Sequence, residues 1–125
     1  MNPTSSTSPE STATNALRQA LDTKFGQDIA VMDLRGVSPI ADFFVIATGN
    51  SLPHLQTLAD ATQEVLESHG LRLSHTEGVA TGNWILLDFG AIIVHLFDRE
   101  SRHFYNLERV WGDARPINGP VEGEE

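Results

Sequence analysis

The chain has 125 residues, of which 40% are apolar and 20% charged, and this predicts one soluble globular domain with a hydrophobic core. It contains no cysteine, which excludes disulfides, thiolate zinc sites and cysteine nucleophiles. Its 17 acidic and 8 basic residues give a net charge of −9, which disfavours direct nucleic-acid binding and suits a basic protein partner, although acidity can also serve solubility alone.

The two ends of the chain differ in composition from its middle. Residues 1–13 are rich in Ser, Thr and Pro and predict a disordered tail, and residues 116–125 predict a second, acidic tail. Residues 14–115 are predicted to form the single folded domain. The N-terminal segment has no basic residue before Arg18 and no apolar stretch, so we predict neither a secretory signal nor a transit peptide. With no membrane-length apolar run, the expected location is the bacterial cytoplasm.

The first half of the chain predicts a helix followed by two strands. The helix covers 14–25 and is capped at Thr14 or Asn15. Alternating residues predict a strand over 28–34, and the almost entirely apolar 43–49 predicts a strand buried on both faces near the middle of a sheet. The apolar stripe of the helix comprises Leu17, Ala20, Leu21 and Phe25.

The second half predicts two more helices and three more strands. Ser51 is a suitable N-cap for the first of these helices, and Gly90 allows a tight hairpin between the last two strands. The order α-β-β-α-β-β-β-α predicts an α/β (α+β) fold, a mixed five-stranded sheet flanked by helices. The predicted elements are a helix over 50–70, an amphipathic edge strand over 71–77, strands over 83–89 and 91–97, and a helix over 98–112.

The predicted hairpin has two chemically different faces. A turn at Phe89-Gly90 would place Trp84 opposite His95. One face is then aliphatic and belongs to the core, whereas the other mixes aromatic, charged and apolar groups. The mixed face is either a docking face with Trp84 as anchor or a half-buried face with internal hydrogen bonds. Its members are Trp84, Leu86, Asp88, Ile93, His95 and Phe97.

The final predicted helix also divides into two sides. Phe104, Leu107 and Trp111 follow an i, i+3, i+7 pattern and are expected to cover the sheet. Tyr105 and Arg109 lie four residues apart, away from the centre of that stripe, and can stack on each other with Glu108 beside them. This outer side is either a partner-binding surface or an ordinary solvated helix face.

The sequence predicts neither catalysis nor a bound cofactor or metal. The segment ATGNSLPHL (47–55) has the strand–Gly–Ser–helix pattern that begins a nucleotidyltransferase phosphate loop. That chemistry needs two metal-binding carboxylates two residues apart on a following strand. The Asp-x-Glu pair after Gly49, Asp98 and Glu100, lies at the start of the predicted final helix and not on a strand. Phosphate-loop, dinucleotide-binding and zinc-protease motifs do not occur, and the five histidines have no metal-ligand spacing. A nucleotide-binding module remains the alternative.

Three segments resemble the ribosomal silencing factor family, also called the Iojap family. They are DIAVMDLRGVSPIADFFVIATGNS (28–51), GNWILLDFGAIIVHLF (82–97) and RHFYNLERVWGDA (102–114). The resemblance runs in order over about residues 15–115 and does not cover the tails.

The resemblance implies a fold and a function beyond what composition indicates. Family members have a mixed sheet similar to the nucleotidyltransferase fold without its catalytic carboxylates. They bind the large ribosomal subunit through its ribosomal protein fourteen and sterically block association with the small subunit. Translation is thereby repressed in nutrient limitation or stationary phase. An alternative role, in assembly of the large subunit, would use the same contact.

The resemblance also implies which residues face the partner. The family's partner-binding surface is formed by the Trp strand, the hairpin and the final helix. Pro53 departs from the family, since many relatives carry a basic residue in this segment. A homodimer of the free protein would cover the apolar part of the docking face. The corresponding residues of this chain are Trp84, Asp88, His95, Tyr105, Asn106, Glu108 and Arg109.

Overall fold

A computed structural model describes residues 9–78, 83–105 and 115–117, with the backbone alone for 103–105 and 115–117. Three helices and six strands lie within these residues. They are α1 (Pro9–Thr23), β1 (Gln27–Asp33), β2 (Phe43–Gly49), α2 (Leu52–Ser68), β3 (His75–Glu77), β4 (Trp84–Asp88), β5 (Ile92–Asp98), α3 (Arg99–Tyr105) and β6 (Arg115–Ile117). None of the described helices has the length and apolar character needed to cross a bilayer.

The strands form one mixed sheet in the order β3-β4-β5-β2-β1-β6. β2 and β5 are parallel neighbours, and every other adjacent pair is antiparallel. All seven residues of β2 are buried, which confirms the prediction of a central strand covered on both faces. The predicted α+β class is therefore confirmed, and five of the six strands match predicted ones.

Helices α1 and α2 cover one face of the sheet and bury an aliphatic core. Leu17 and Leu21 of α1 are fully buried, as the predicted stripe requires. From α2, Leu55, Leu58 and Leu66 pack into the same cluster. Their spacing of three and eight residues places them on one side of the helix. The sheet contributes the purely aliphatic side of the hairpin, which comprises Ile85, Leu87, Ile92, Val94 and Leu96.

The start of α2 follows its sequence signals. Ser51 is the N-cap, and its hydroxyl accepts a hydrogen bond from the backbone N–H of His54 at 3.2 Å. Pro53 lies in the first turn, where its missing N–H costs nothing. The Gly-Asn-Ser segment after β2 thus acts as a turn and helix cap, as predicted.

Helix α1 begins at Pro9, five residues before the predicted start, so residues 9–13 are helical and not part of a tail. Thr14 does not cap the helix but lies inside it, with its hydroxyl donating to the carbonyl of Glu10 at 2.7 Å. Tertiary packing stabilises this first turn of the helix although its composition is rich in Ser and Thr, because Ser11 and Ala13 are fully buried.

The C-terminal end of α1 also differs from the prediction. Phe25 lies beyond the helix with a left-handed φ of 66° and is 79% exposed, so it does not belong to the buried stripe. The backbone N–H of Phe25 donates to Asp22 and that of Gly26 donates to Leu21, which closes the helix end.

The structure contains a strand that the sequence did not predict. β6 pairs antiparallel with β1, so residues 116 and 117, which were assigned to the acidic tail, belong to the sheet. β3 is shorter than predicted, with three residues, and lies at the opposite sheet edge as expected. The final helix is described only as far as Tyr105, so the remainder of its predicted range lies outside the described residues.

The register of the β4–β5 hairpin is shifted by two residues from the prediction. Trp84 pairs with Phe97, and Leu86 pairs with His95. Phe89 N–H donates to the carbonyl of Ile92 at 2.9 Å, so the turn lies one residue later than expected. Because side chains alternate with a period of two, this shift leaves every residue on its predicted face.

Candidate functional site

The face of the sheet opposite α1 and α2 carries a set of aromatic and polar side chains that we call the tryptophan face. The residues that β4 contributes to it are half-buried, and those that β5 contributes are buried. Phe44 of β2 extends the set, since it pairs with Ile93 in the parallel register. The tryptophan face comprises Trp84, Leu86, Asp88, Ile93, His95, Phe97 and Phe44.

Trp84 is held in place by two neighbouring rings, and a third ring packs against one of these two. Its indole Nε1–H donates to His95 Nδ1 at 3.1 Å. Its ring stacks on His95 and on Phe97 with centroid distances of 5.8 and 5.7 Å. Phe44 contacts His95 edge to face at 4.9 Å. The Trp84 side chain is therefore fixed in one orientation and remains partly accessible. A side chain that is already fixed loses little conformational entropy when a partner binds.

His95 is an interior residue of this face, because only 5% of it is exposed. Burial lowers the pKa of His95 to about 4, so its imidazole is neutral near pH 7. Since Nδ1 accepts the bond from Trp84, we assign the ring proton to Nε2. That Nε2 is buried and has no hydrogen-bond partner in the described part of the chain. Its place among the rings suits His95 to positioning Trp84 more than to touching a partner.

Polar groups lie beside the aromatic centre along the exposed sheet edge. Asp88 Oδ1 accepts a hydrogen bond from the Gly90 N–H at 2.8 Å, which fixes the hairpin turn. Register pairs His75 with Asp88 and Glu77 with Leu86, so both β3 residues share this face. His75 Nε2 and Glu77 Oε2 lie 2.7 Å apart. The sequence alone did not indicate these two residues, because their face is set by the pairing of β3 with β4.

Three of the seven predicted site residues therefore meet on one face: Trp84, Asp88 and His95. Tyr105 is the last residue of α3, which directly follows β5, and its side chain is not described. The other three, Asn106, Glu108 and Arg109, lie outside the described residues. The structure thus groups the hairpin half of the predicted site, and the helix half stays a prediction.

The tryptophan face combines aromatic, apolar and polar side chains. Across residues 9–78 and 83–102, no cluster of three His, Asp or Glu side chains is arranged to hold a metal ion. The face instead offers what a protein interface needs, with a partly exposed indole at its centre and polar groups at its edge. Such an arrangement can bury an apolar anchor against a partner while its rim stays solvated.

Known proteins resemble this chain in both sequence and structure. The family model described as ribosomal silencing factor during starvation matches residues 5–125. The ribosomal silencing factor RsfS of Halalkalibacterium halodurans is 38% identical over 98 residues, which is 78% of this chain and 84% of that protein. The protein of the same name from Bacillus subtilis is 38% identical over 95 residues, covering 76% and 80%. The chloroplastic protein Iojap of Arabidopsis thaliana is 33% identical over 90% of this chain and 46% of that longer protein.

Solved structures have the same fold. A crystal structure from Chromobacterium violaceum superposes with a TM-score of 0.77 at 27% identity, covering 90% of this chain and 92% of that one. Another, from Bacillus halodurans, has a TM-score of 0.70 at 30% identity, covering 82% and 92%.

Proposed function

The chain belongs to the ribosomal silencing factor family, and from this membership we propose that it binds the large ribosomal subunit through ribosomal protein fourteen. Bound there, it blocks association with the small subunit and represses translation in nutrient limitation or stationary phase. The family match over residues 5–125 carries the proposal of a ribosomal role. The geometry of the tryptophan face carries the proposal of where the partner binds.

Trp84 is the proposed anchor of the contact. It is half-buried and ring-stacked, and it lies one strand from the exposed edge strand β3. Large aromatic residues at the centre of an interface commonly account for about 2 kcal/mol or more of binding free energy. His95 supports this anchor by accepting the hydrogen bond from its indole, so the proposed role of His95 in binding is indirect.

The charged and polar residues around Trp84 form the proposed rim. Asp88 lies on the same face, and Tyr105, Asn106, Glu108 and Arg109 are proposed to complete the surface from the final helix. The net charge of −9 suits a basic ribosomal protein and favours a rapid encounter. Rim charges are expected to change the association rate and its salt dependence more than the final affinity.

The proposed inhibition needs no chemical step. Two bodies cannot occupy one volume, so the small subunit is excluded for as long as the factor stays bound. Inhibition then equals the fraction of large subunits that carry the factor, which depends on concentration and Kd alone. With a bacterial ribosome as partner, the proposed location is the cytoplasm.

A subunit-joining assay with two orders of addition tests this mechanism. Purified large subunits are mixed with the full chain before or after small subunits, and joined ribosomes are separated on a sucrose gradient. We expect a lower yield of joined ribosomes when the chain is added first, and co-sedimentation with large subunits. When the chain is added to preformed ribosomes, we expect the yield of joined ribosomes to fall only as fast as the subunits dissociate. Full joining despite co-sedimentation would overturn the steric mechanism, and no co-sedimentation would overturn the proposed partner.

A further inference from the structure

The loop between β1 and β2, residues 34–42, exposes apolar side chains to solvent, and we call it the apolar loop. Four large apolar side chains are exposed among the described residues, and this loop carries two of them. Val37 is 38% exposed and Ile40 is 70% exposed. A single exposed apolar residue is common on protein surfaces, but neighbouring ones beside an aromatic surface are typical of a protein-binding site.

The base of the apolar loop packs on the same side of the sheet as the tryptophan face. Leu34 is fully buried and Ala41 is 4% exposed, and both belong to one cluster with Phe44 and Ile93. Ile40 directly precedes Ala41, so its Cα lies about 3.8 Å from that of a residue in this cluster. The apolar loop is therefore continuous with the tryptophan face.

The apolar loop and the turn of the β4–β5 hairpin lie at the same end of the sheet. The backbone N–H groups of Asp42 and Phe43 both donate to the carbonyl of Ala91, at 2.8 and 3.0 Å. Only β5 separates β2 from β4, so the start of β2 is about 10 Å from Asp88 at the end of β4. An interface of about 800 Å² per partner is roughly 30 Å across and can include Trp84, Asp88 and the apolar loop.

Hydrogen bonds hold the apolar loop in one shape. The N–H of Leu34 donates to the carbonyl of Asp42 at 2.8 Å, which closes the base of the loop. The N–H groups of Val37 and Ser38 donate to the carbonyl of Leu34 at 2.9 and 3.0 Å. The N–H of Ile40 donates to Ser38 Oγ at 3.1 Å. A loop that is already ordered loses little conformational entropy on binding, so its exposed apolar groups can contribute to affinity.

We propose that the apolar loop is a second contact with the partner of the tryptophan face, ribosomal protein fourteen, and that Ile40 is the apolar anchor of this contact. The inference rests on the proposed function and adds an element outside the hairpin and the final helix. The surface that fits is an apolar patch with basic residues beside it. Val37 and Ile40 carry no charge, and the carboxylate of Asp88 lies at the same end of the sheet.

Binding kinetics of the full chain on immobilised ribosomal protein fourteen test the proposal. Ile40→Ala is expected to raise Kd about five- to tenfold through faster dissociation, with an unchanged association rate, because the apolar contact forms after encounter. Phe25→Ala is the matched control, since it truncates a side chain that is 79% exposed but precedes β1 and lies at the opposite end of the sheet. Phe25→Ala should leave Kd unchanged. Ile40→Leu keeps the apolar volume and should bind within about twofold of the wild type.

Trp84→Ala, measured in the same assay, separates failure of this inference from failure of the proposed function. An Ile40→Ala variant that binds as tightly as the wild type would overturn the inference, and a loss of affinity in Trp84→Ala would then leave the proposed function standing. A wild-type chain that does not bind the ribosomal protein would overturn both. Equal losses in Ile40→Ala and Phe25→Ala would also overturn the inference, because they would show no local contact. Thermal unfolding is the folding control, and Ile40→Ala should unfold as the wild type does because its side chain is 70% exposed.

Discussion

The two faces of the β4–β5 hairpin differ although they come from the same twelve or so residues of sequence. On one face, Ile85, Leu87 and Leu96 are at most 2% exposed beneath α1 and α2. On the other, Trp84, Leu86 and Asp88 remain half-buried. The first face is uniformly aliphatic, whereas the second combines an indole, a carboxylate and an imidazole. The uniformly aliphatic face is therefore fully covered, whereas the mixed face is buried along β5 and only half-buried along β4.

Two leucine variants on opposite faces test this comparison most strongly. Leu96→Ala removes a fully buried side chain and should lower the free energy of unfolding by about 3 kcal/mol, because it leaves a cavity. Leu86→Ala removes a half-buried side chain and should cost only about 1 kcal/mol. Urea denaturation monitored by circular dichroism measures both. Equal losses would show that the two faces are not energetically distinct.

The buried imidazole of the tryptophan face predicts a pH dependence that the aliphatic face cannot have. The pKa of His95 is lowered to about 4 by burial, against about 6.5 in an unfolded chain. Between these values the unfolded state binds more protons, so stability is lost as pH falls. His95 should account for about 2 kcal/mol of destabilisation between pH 8 and pH 5.

His95→Gln is the variant that isolates this effect. Glutamine keeps an acceptor for Trp84 and does not titrate, so the loss of stability with falling pH should be smaller by about that amount. Denaturant midpoints at several pH values provide the measurement. If the stability of His95→Gln falls with pH as steeply as that of the wild type, the assignment of a buried neutral imidazole is wrong.

The hairpin turn connects β4 to β5, and substitutions in it should lower stability by less than the change in the core does. Gly90 has a left-handed φ of 83°, and an added Cβ would meet no atom within 4 Å. Gly90→Ala should therefore cost about 1 kcal/mol through backbone strain alone. Gly90→Asn should cost less, because Asn tolerates this conformation. Thermal unfolding compares the two variants, and equal losses would point to a steric cause.

Local alternation was enough to predict the faces but not the register. The apolar and mixed residues of β4 and β5 alternate, and this alone separated Trp84 from Ile85. The register depends on which two residues form the turn. The predicted turn has Gly90 as its second residue, whereas in the observed turn the left-handed Gly90 is the first. The diagonal hydrogen bond from Trp84 to His95 follows from that register and could not be predicted without it.

Non-local contacts explain the remaining differences. β6 exists through pairing with β1, more than 80 residues earlier in the chain, which no local pattern reveals. Helix α1 extends to Pro9 because Ser11 is buried and accepts a hydrogen bond from Arg35, itself in a 2.8 Å salt bridge with Asp33. Composition alone describes that segment as a polar tail. The helix half of the predicted site lies largely outside the described residues and stays a prediction.

The central claim is that the tryptophan face holds the partner, and affinity for isolated ribosomal protein fourteen tests it most directly. Trp84→Ala is compared with Leu52→Ala, a partly exposed apolar residue at the start of α2, which covers the opposite face. We predict that Trp84→Ala raises Kd at least about thirtyfold, equivalent to about 2 kcal/mol, while its circular dichroism spectrum stays that of the wild type. Leu52→Ala should leave Kd unchanged. A folded Trp84→Ala variant that binds as tightly as the wild type would contradict the account.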